Sequence, residues 1–370
     1  MNGEASGRDR PPEPARGAEA VVLVGGRGTR LRPLTLSAPK PMLPTAGVPF
    51  LTHLLSRIRE AGITRVLLST SYQPEVFAEH FGDGSELGLQ LEYVVEPEPL
   101  DTGGAIRNVA DRLREQDVLV FNGDVLSGVD LPQLVRAHRA SAADVTLHLV
   151  EVDDPRQFGC VPTDVDGRVT AFLEKTDDPP TDQVNAGCYV FRRSVVDAIP
   201  QGRPVSVERE TFPGLLAGGA RLHGHVDSSY WLDLGTPSSF ARGSADLVLG
   251  VAPSSAVPET SGEAVVLAGA QVDPGASLRG GTTVGAGAVV EAGAELVAAT
   301  LFDGARVGAG AVVEGSVLGA RARIGEGAVV RGAVIGDDAV VGAGCELLDG
   351  ARVWPEVELP PGGIRFSPAG

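Results

Sequence analysis

The sequence predicts two unlike domains, a Rossmann-like α/β domain with a mixed, mainly parallel sheet and then a parallel β-helix. From about residue 20 to residue 250, short apolar strands alternate with amphipathic helices, and such crossover helices are typical of parallel sheets. Beyond the Pro- and Ser-containing stretch that follows, aliphatic residues recur in steps of six with an occasional five. This change of period marks the domain boundary.

The chain length agrees with this division, because 370 residues exceed one ordinary hydrophobic core. The N-terminal stretch is rich in Gly, Pro, Glu and Arg without an apolar core, which is typical of a disordered tail. We predict a disordered tail over 1–19, the α/β domain over 20–250, a linker over 251–262, the β-helix over 263–357 and a C-terminal tail over 358–370.

Composition excludes several classes of function. A net charge of -17 argues against nucleic acid as a partner, because phosphate backbones are held by clustered Lys and Arg. Cys160, Cys188 and Cys345 lie far apart without a Cys-x-x-Cys pair, which favours free thiols in a reducing, cytoplasmic compartment. No apolar run approaches the ~20 residues that span a bilayer, so we expect no membrane association.

The first α/β strand, Val21 to Val24, runs into a glycine-rich turn, Gly25–Thr35, followed by Pro39–Pro44. Glycines at this place let backbone N–H groups approach a polyphosphate, although turn geometry alone explains them equally well. A proline-punctuated loop follows, so this is neither a dinucleotide-binding fingerprint nor a P-loop. Two cations, Arg30 and Lys40, favour a phosphate site.

Two lysines stand out, since Lys40 and Lys175 are the only lysines and the other 29 basic residues are arginines. A compact ammonium kept at two positions indicates sites where a planar guanidinium does not fit, with chance survival as the alternative.

Two carboxylates are candidates for a Mg²⁺ site. Asp124 follows Asn122 and Gly123 at the end of an apolar strand, where open α/β sheets bind ligands. Asp233 follows Trp231 and Leu232 far along the chain. Mg²⁺ prefers a couple of carboxylates plus phosphate oxygens and water, whereas a lone Asp after Gly is usually a turn residue.

These motifs resemble the sugar-phosphate nucleotidyltransferases, whose hallmark is Gly-Gly-x-Gly-Thr-Arg-Leu-x-Pro-Leu-Thr and then Pro-Lys-Pro. The resemblance implies that Arg30 assists the triphosphate and the departing pyrophosphate, that Lys40 contacts phosphate, and that Asp124 and Asp233 bind Mg²⁺. The nucleotide-binding residues it implies are Val24, Gly25, Gly26, Gly28, Thr29, Arg30, Leu100, Thr102, Gly103, Gly104, Asn122 and Gly123.

The same resemblance assigns Glu174 to sugar hydroxyls, Lys175 to the sugar's phosphate, and Gly159, Asn185 and Gly187 to the sugar pocket. Phe172 to Lys175 reads as a strand, in which Glu174 and Lys175 face opposite sides unless a bulge or strand end re-aims one of them.

Asp101 departs from the family, which often has Gly there. The residue is alternatively a plain N-cap of the helix expected from about residue 103 to residue 113.

The β-helix prediction rests on an aliphatic register in which five-residue steps leave Val290, Val307, Ile324 and Val341 each 17 residues apart. It resembles the left-handed hexapeptide-repeat family, in which each aliphatic points inward and small residues turn the corners. The register comprises Val272, Leu278, Val284, Val290, Leu296, Leu301, Val307, Val313, Leu318, Ile324, Val330, Ile335, Val341, Leu347 and Val353.

The family resemblance implies transfer of a nucleotidyl group from an NTP to a hexose 1-phosphate, with GTP and mannose 1-phosphate favoured. dTTP or ATP with glucose 1-phosphate is second. We also expect the protein to form a homo-oligomer through the β-helix. Acyl transfer by the β-helix is disfavoured, because all six histidines precede the linker and such enzymes use a histidine base. A non-catalytic regulatory subunit stays open, although the presence of Arg30, Lys40, Asp124, Lys175 and Asp233 favours an enzyme.

Overall fold

The α/β domain is built on a seven-stranded sheet in the order β10-β8-β9-β6-β1-β4-β5, with β9 antiparallel to both of its neighbours. The computed structural model describes residues 15–173 and 175–365. The strands of this domain are β1 (Ala18–Leu23), β2 (Pro44–Thr45), β3 (Val48–Pro49), β4 (Arg65–Thr70), β5 (Gln90–Val95), β6 (Asp117–Asn122), β7 (Val125–Ser127), β8 (Val145–Glu151), β9 (Gln183–Arg192), β10 (Leu222–Asp227) and β11 (Trp231–Asp233).

Helices cover both faces of the sheet, so its central strands read as continuous apolar runs. In β1, Ala20 and Val22 pack into one buried cluster with α1, whereas Val21 packs into the other with the end of α3. The helices are α1 (Phe50–Glu60), α2 (Pro74–Phe81), α3 (Asp101–Asn108), α4 (Leu131–Ser141), α5 (Arg193–Ala198), α6 (Phe212–Ala217) and α7 (Pro237–Val248). The predicted mainly parallel α/β domain is therefore confirmed.

Two local predictions differ from the structure. The helix expected from about 103 to 113 starts at Asp101 and ends at Asn108, and a separate 3₁₀ helix spans Ala110–Arg112. The strand expected at 172–175 is wrong for the described residues 172, 173 and 175, because Leu173 forms only a single bridge, to Cys160. A single bridge lacks the continuous ladder that would fix an alternation of side chains.

The β-helix consists of three parallel sheets, one for each side of a triangular coil. Val290, Val307, Ile324 and Val341 stack directly above one another, as the 17-residue spacing predicts. The strands are β12 (Ala264–Val266), β13 (Gln271–Val272), β14 (Ser277–Arg279), β15 (Thr282–Val284), β16 (Val289–Val290), β17 (Glu295–Val297), β18 (Thr300–Leu301), β19 (Arg306–Val307), β20 (Val312–Glu314), β21 (Val317–Leu318), β22 (Arg323–Ile324), β23 (Val329–Arg331), β24 (Val334–Ile335), β25 (Val340–Val341), β26 (Glu346–Leu347), β27 (Arg352–Val353) and β28 (Glu358–Leu359). This architecture agrees with the predicted left-handed β-helix.

Close stacking of the coils explains the small residues at their corners. A Cβ atom on Gly325 would lie 2.4 Å from the backbone nitrogen of Ala343 in the next coil. Any side chain there would push two coils apart.

Two strands extend into stretches that we predicted as tails. β28 pairs with β25 although it lies within the predicted tail 358–370, and β1 begins at Ala18. The expected disorder of residues 1–14 concerns a part of the chain outside the described residues. Within residues 15–173 and 175–365, no helix is long and apolar enough to cross a membrane.

Candidate active site

The glycine-rich turn after β1 contains three glycines with different surroundings. Gly28 has a φ of 58°, and a Cβ there would lie 2.9 Å from Thr35 Cγ2. A Cβ on Gly25 would lie 2.7 Å from Ser71 Oγ, which donates a 2.8 Å hydrogen bond to the Gly25 carbonyl. Gly26 has no such neighbour within 4 Å. Glycine at positions 25 and 28 is thus required by the packing of the turn. Gly26 instead leaves open space beside the loop.

Lys40 lies between the two predicted carboxylates. Its Nζ is 2.8 Å from Asp124 Oδ2 and 3.9 Å from Asp233 Oδ1, and Lys40 is only 7% exposed. β7 and β11 run antiparallel with Asp233 opposite Val125, and Leu234 N–H donates to the Asp124 carbonyl. This register brings together two carboxylates that are 109 positions apart (233 − 124).

Asp233 carries an electrostatic signature of a ligand site. Burial and the neighbouring Asp124 raise the pKa of its carboxyl, and the cations of Lys40 and Arg30 offset part of that effect. Its Oδ1 is buried without a hydrogen-bond partner in the described structure. A buried acceptor left unpaired is destabilising unless a ligand completes it.

A cavity of about 470 Å³ extends from this cluster along the glycine-rich turn. Arg30, Lys40, Asn122, Gly123 and Asp124 line it. The other predicted residues that line it are Val24, Gly25, Gly26, Gly28, Thr29 and Thr102. Most of the predicted nucleotide site is thus gathered around one space.

Leu100, Gly103 and Gly104 do not line this cavity. The N–H groups of Gly103 and Gly104 both point at the Val205 carbonyl, at 2.6 and 3.1 Å. Their backbone N–H groups are therefore already hydrogen-bonded inside the protein. The lack of a Cβ on these glycines lets Val205 pack closely against them.

Asp101 adopts a left-handed backbone conformation, with φ 58°, and begins α3 instead of preceding it as an N-cap. Its Oδ1 accepts a 2.8 Å hydrogen bond from Thr102 N–H, and its Oδ2 accepts one from Arg209 at 2.9 Å. A left-handed conformation favours glycine, which explains the residue that the family often has here.

A second cavity, of about 1000 Å³, lies on the other side of Arg30. Gly159, Lys175 and Asn185 line it, as does Asp233. Gly187 does not; its φ is 73° and a Cβ there would lie 2.8 Å from Asn122 Nδ2, so it packs behind Asn122. Glu174 lies outside the described residues.

Arg30 and Gly235 line both cavities. A Cβ on Gly235 would lie 2.6 Å from Arg30 Nη2, so glycine at this position lets the guanidinium lie against the backbone. The two spaces therefore adjoin at a cation.

Sequence reasoning missed Glu208, which lies in a π-helical segment, Val207–Thr211. Its carboxylate accepts hydrogen bonds from Thr102 Oγ1 at 3.2 Å and from Tyr189 at 3.3 Å, and Tyr189 in turn accepts one from Asn185 at 2.7 Å. Glu208 thereby joins Thr102 of the first cavity to Asn185 of the second. No short motif marks such a residue, because its partners are distant in sequence.

Glu96 was also missed. It lines the first cavity, is 6% exposed, and accepts hydrogen bonds from Ser69 Oγ and Leu100 N–H. Burial raises the pKa of its carboxyl. The available signal was its position directly after an apolar strand, where ligand-contacting residues collect in open α/β sheets.

Residues 19–248 match the family described as Nucleotidyl transferase, which is more than half of the chain. The chain belongs to the nucleotidyl transferase family. Residues 260–360 match a second family, described as the GMPPB C-terminal domain. The boundary between the two matches falls where the sequence changes period.

Several known proteins resemble the chain to different extents. Mannose-1-phosphate guanylyltransferase of Mycobacterium tuberculosis is 66% identical over 350 residues, covering 94% of this chain and 98% of that protein. The catalytic subunit beta of mannose-1-phosphate guanylyltransferase from Drosophila pseudoobscura pseudoobscura is 36% identical over 230 residues, covering 61% of this chain and 62% of that protein. The crystal structure of HddC from Yersinia pseudotuberculosis, complexed with GMP-PN, matches 62% of this chain and 99% of its own with a TM-score of 0.55 and 28% identity.

Proposed function

We propose that this protein condenses GTP with mannose 1-phosphate to give GDP-mannose and pyrophosphate. The observation that carries the proposal is the meeting of two cavities at Arg30 and Gly235, beside Lys40 and the two aspartates. Two phosphorylated substrates can approach each other there from opposite sides. The choice of GTP and mannose 1-phosphate is supported by the 66% identity to a mannose-1-phosphate guanylyltransferase.

The reaction proceeds by in-line attack of a sugar-phosphate oxygen on the α-phosphorus of GTP. The new P–O bond forms as the bond to the β-phosphate oxygen breaks, and pyrophosphate leaves with that electron pair. The nucleophile is already an anion near neutral pH, so the protein need not supply a base. Its task is positioning and charge neutralisation.

Arg30 and Lys40 supply the positive charge. Arg30 lies where the cavities adjoin, so its guanidinium can contact phosphates in both and stabilise the leaving pyrophosphate. Lys40 is buried against Asp124, which holds its ammonium at the end of the first cavity. Lys175 lines the second cavity and attracts the phosphate of the sugar.

Asp124 and Asp233 fit a Mg²⁺ ion. Two carboxylates beside a phosphate-sized space are the donor set this cation prefers, and Asp233 Oδ1, which accepts no hydrogen bond in the described structure, offers an acceptor. When bound, the cation neutralises and orients phosphate oxygens. The described residues contain no group of three or more His, Cys, Asp or Glu that could hold a metal, so substrate phosphates would complete the coordination.

A substrate matrix tests the proposal. Four NTPs are crossed with the 1-phosphates of mannose, glucose, galactose and N-acetylglucosamine, and pyrophosphate release is measured with Mg²⁺ and with EDTA. We expect GTP with mannose 1-phosphate to lead and EDTA to abolish release. A lead for dTTP or ATP with glucose 1-phosphate would replace the proposed substrates, and no release from any pair would favour a regulatory subunit.

We also propose that the protein acts in the cytoplasm as a homo-oligomer assembled through the β-helix. The three buried, unpaired cysteines support a reducing compartment. Trp354 and Val357 are exposed between β27 and β28, where both offer apolar surface to a second copy of the chain. Sedimentation of the wild type and of Trp354→Ser measures the assembly, which we expect the substitution to weaken.

A further inference from the structure

The β-helix touches the α/β domain beside each of the three groups to which the proposed function assigns the chemistry. We infer that the β-helix is the positioning support of Arg30, Lys40 and Asp233, with Arg352 as the residue that fixes the loop of Arg30. This inference rests on the proposed function, because it takes these three groups as the ones that act on phosphate and metal.

The contact nearest Lys40 is made by the β2–β3 hairpin, which follows the 3₁₀ helix Lys40–Met42. At its tip, a Cβ on Gly47 would lie 3.0 Å from the side chain of Leu267, in the first coil of the β-helix. Ala46 N–H donates a 2.9 Å hydrogen bond to Ser244 Oγ, which lies 3.5 Å from Thr283 Oγ1. Buried polar contacts of this kind fix a single arrangement, because a lost partner leaves a donor unpaired.

The contact nearest Asp233 is made through α7, which begins four residues after it (237 − 233). Gly243 packs against Leu234 and Leu126, so that a Cβ there would lie 2.5 Å from Leu234 Cδ2. Towards the β-helix, a Cβ on Gly281 would lie 2.5 Å from the Ala245 carbonyl. The helix is therefore packed without spare space between the β-helix and two strands, β11, which carries Asp233, and β7, which begins directly after Asp124.

The contact nearest Arg30 is made by Arg352, in β27. Its Nη1 donates a 2.9 Å hydrogen bond to the carbonyl of Arg32, two residues beyond Arg30 in the glycine-rich turn. Leu31, between Arg30 and Arg32, is fully buried in an apolar cluster that also contains Phe302 and Val334 of the β-helix. Arg32 and Arg352 are both exposed, so their hydrogen bond adds little to global stability. Its effect is on the position of the glycine-rich turn that carries Arg30.

The test compares full-length Arg352→Ala and Arg352→Lys with Arg323→Ala. Arg323 is a matched control, because it is also an exposed arginine of a β-helix strand and lines a surface concavity with Arg306 and Arg321. For Arg352→Ala we expect kcat/KM for GTP to fall about fivefold, the loss of one hydrogen bond of about 1 kcal/mol. The KM for mannose 1-phosphate should change less than kcat/KM for GTP, because Lys175 and Asn185 also line the second cavity and lie on other segments.

The expected pattern also includes partial recovery in Arg352→Lys, whose ammonium can still donate to the carbonyl, and wild-type kinetics in Arg323→Ala. Kinetic constants of Arg352→Ala equal to those of Arg323→Ala overturn the inference. If Arg352→Ala melts far below the wild type, Arg352→Lys decides, and failure to recover GTP kinetics overturns the inference too. A wild type that releases no pyrophosphate refutes the proposed function instead, so the two failures are distinguishable.

Discussion

The interiors of the two domains contain different kinds of polar side chain. The α/β domain buries charged or titratable side chains that include Glu19, Lys40, His53 and Glu96. Among the described residues of the β-helix, the buried polar side chains are only the hydroxyls of Thr282, Thr283, Thr300 and Ser316. A repeating coil satisfies its backbone by stacking and fills its interior with aliphatic residues. A charged side chain is buried where neighbouring elements supply it with partners, as Arg65 and the N–H group of Glu115 do for Glu19.

Charges of the β-helix lie outside, in exposed pairs such as Arg321 with Asp338 and Arg331 with Glu314. Exposed pairs contribute little to stability. The contrast therefore predicts that polar substitutions in the α/β domain disturb activity or pH dependence, while aliphatic substitutions in the β-helix disturb stability.

The largest expected effect is that of Asp124→Ala, which removes a proposed metal ligand and the partner of buried Lys40. We expect kcat to fall about a thousandfold, as when other charge-stabilising groups are removed from active sites. Pyrophosphate release measures it. Asp130→Ala is the control, since Asp130 caps α4 through Gln133 N–H and should lower the unfolding free energy by about 1 kcal/mol with kcat unchanged. Substantial activity in Asp124→Ala would contradict the metal assignment.

Acid should destabilise the α/β domain through His53. Burial lowers the pKa of His53 to about 4, although its hydrogen bond to the Thr45 carbonyl acts in the opposite direction. Between the unfolded pKa of about 6.5 and the folded value, the unfolded state binds more protons, so stability falls as pH falls. We expect the wild type to lose about 3 kcal/mol from this group by pH 4.

Unfolding by urea at several pH values, in the wild type and in His53→Gln, measures this linkage. The variant starts less stable, since Gln replaces a ring that bonds both Thr45 and Ser254, but its stability should fall less with acid. Parallel pH profiles for the two proteins would show that His53 is not the titrating group.

A neighbouring pair of valines isolates packing in the β-helix. Val313 points inward and is fully buried, whereas Val312 on the same strand is half-buried and points outward. Val313→Ala should lower the unfolding free energy by about 2 kcal/mol and Val312→Ala by much less, because only the first leaves a cavity. Thermal unfolding measures both. Equal losses would argue that the inward register does not determine stability.

The smallest expected effect is that of Lys175→Arg, which keeps the charge and replaces a compact ammonium by a planar guanidinium. We expect the KM for mannose 1-phosphate to rise about fivefold, with the KM for GTP unchanged. Arg156→Lys, in an exposed pair with Asp154, is the converse substitution and should leave both values unchanged. An unaltered KM in Lys175→Arg would mean that this lysine survived by chance.

The same contrast explains what could be predicted from the sequence. Each coil of the β-helix repeats a local pattern, so the stacking of Val307 on Val290 follows from spacing alone. The meeting of Asp124 with Asp233 needed the resemblance to a family, because β7 and β11 are distant in sequence. Glu208 was missed since its hydrogen bond to Thr102 spans 106 positions. The strand expected at 172–175 was wrong because four residues carry too little pattern.

The regular stacking of the coils has a further consequence, because it fixes distances along the axis of the β-helix. Between β15, which packs beside α7, and β27, which carries Arg352, the sheet order β15-β18-β21-β24-β27 contains four steps. At about 4.8 Å per step these strands are about 19 Å apart. Inserting or deleting one whole coil would preserve every inward aliphatic and leave the solenoid stable. It would nevertheless move Arg352 away from Arg32 by one step, so selection on the active-site loop would fix the number of coils where packing alone would not.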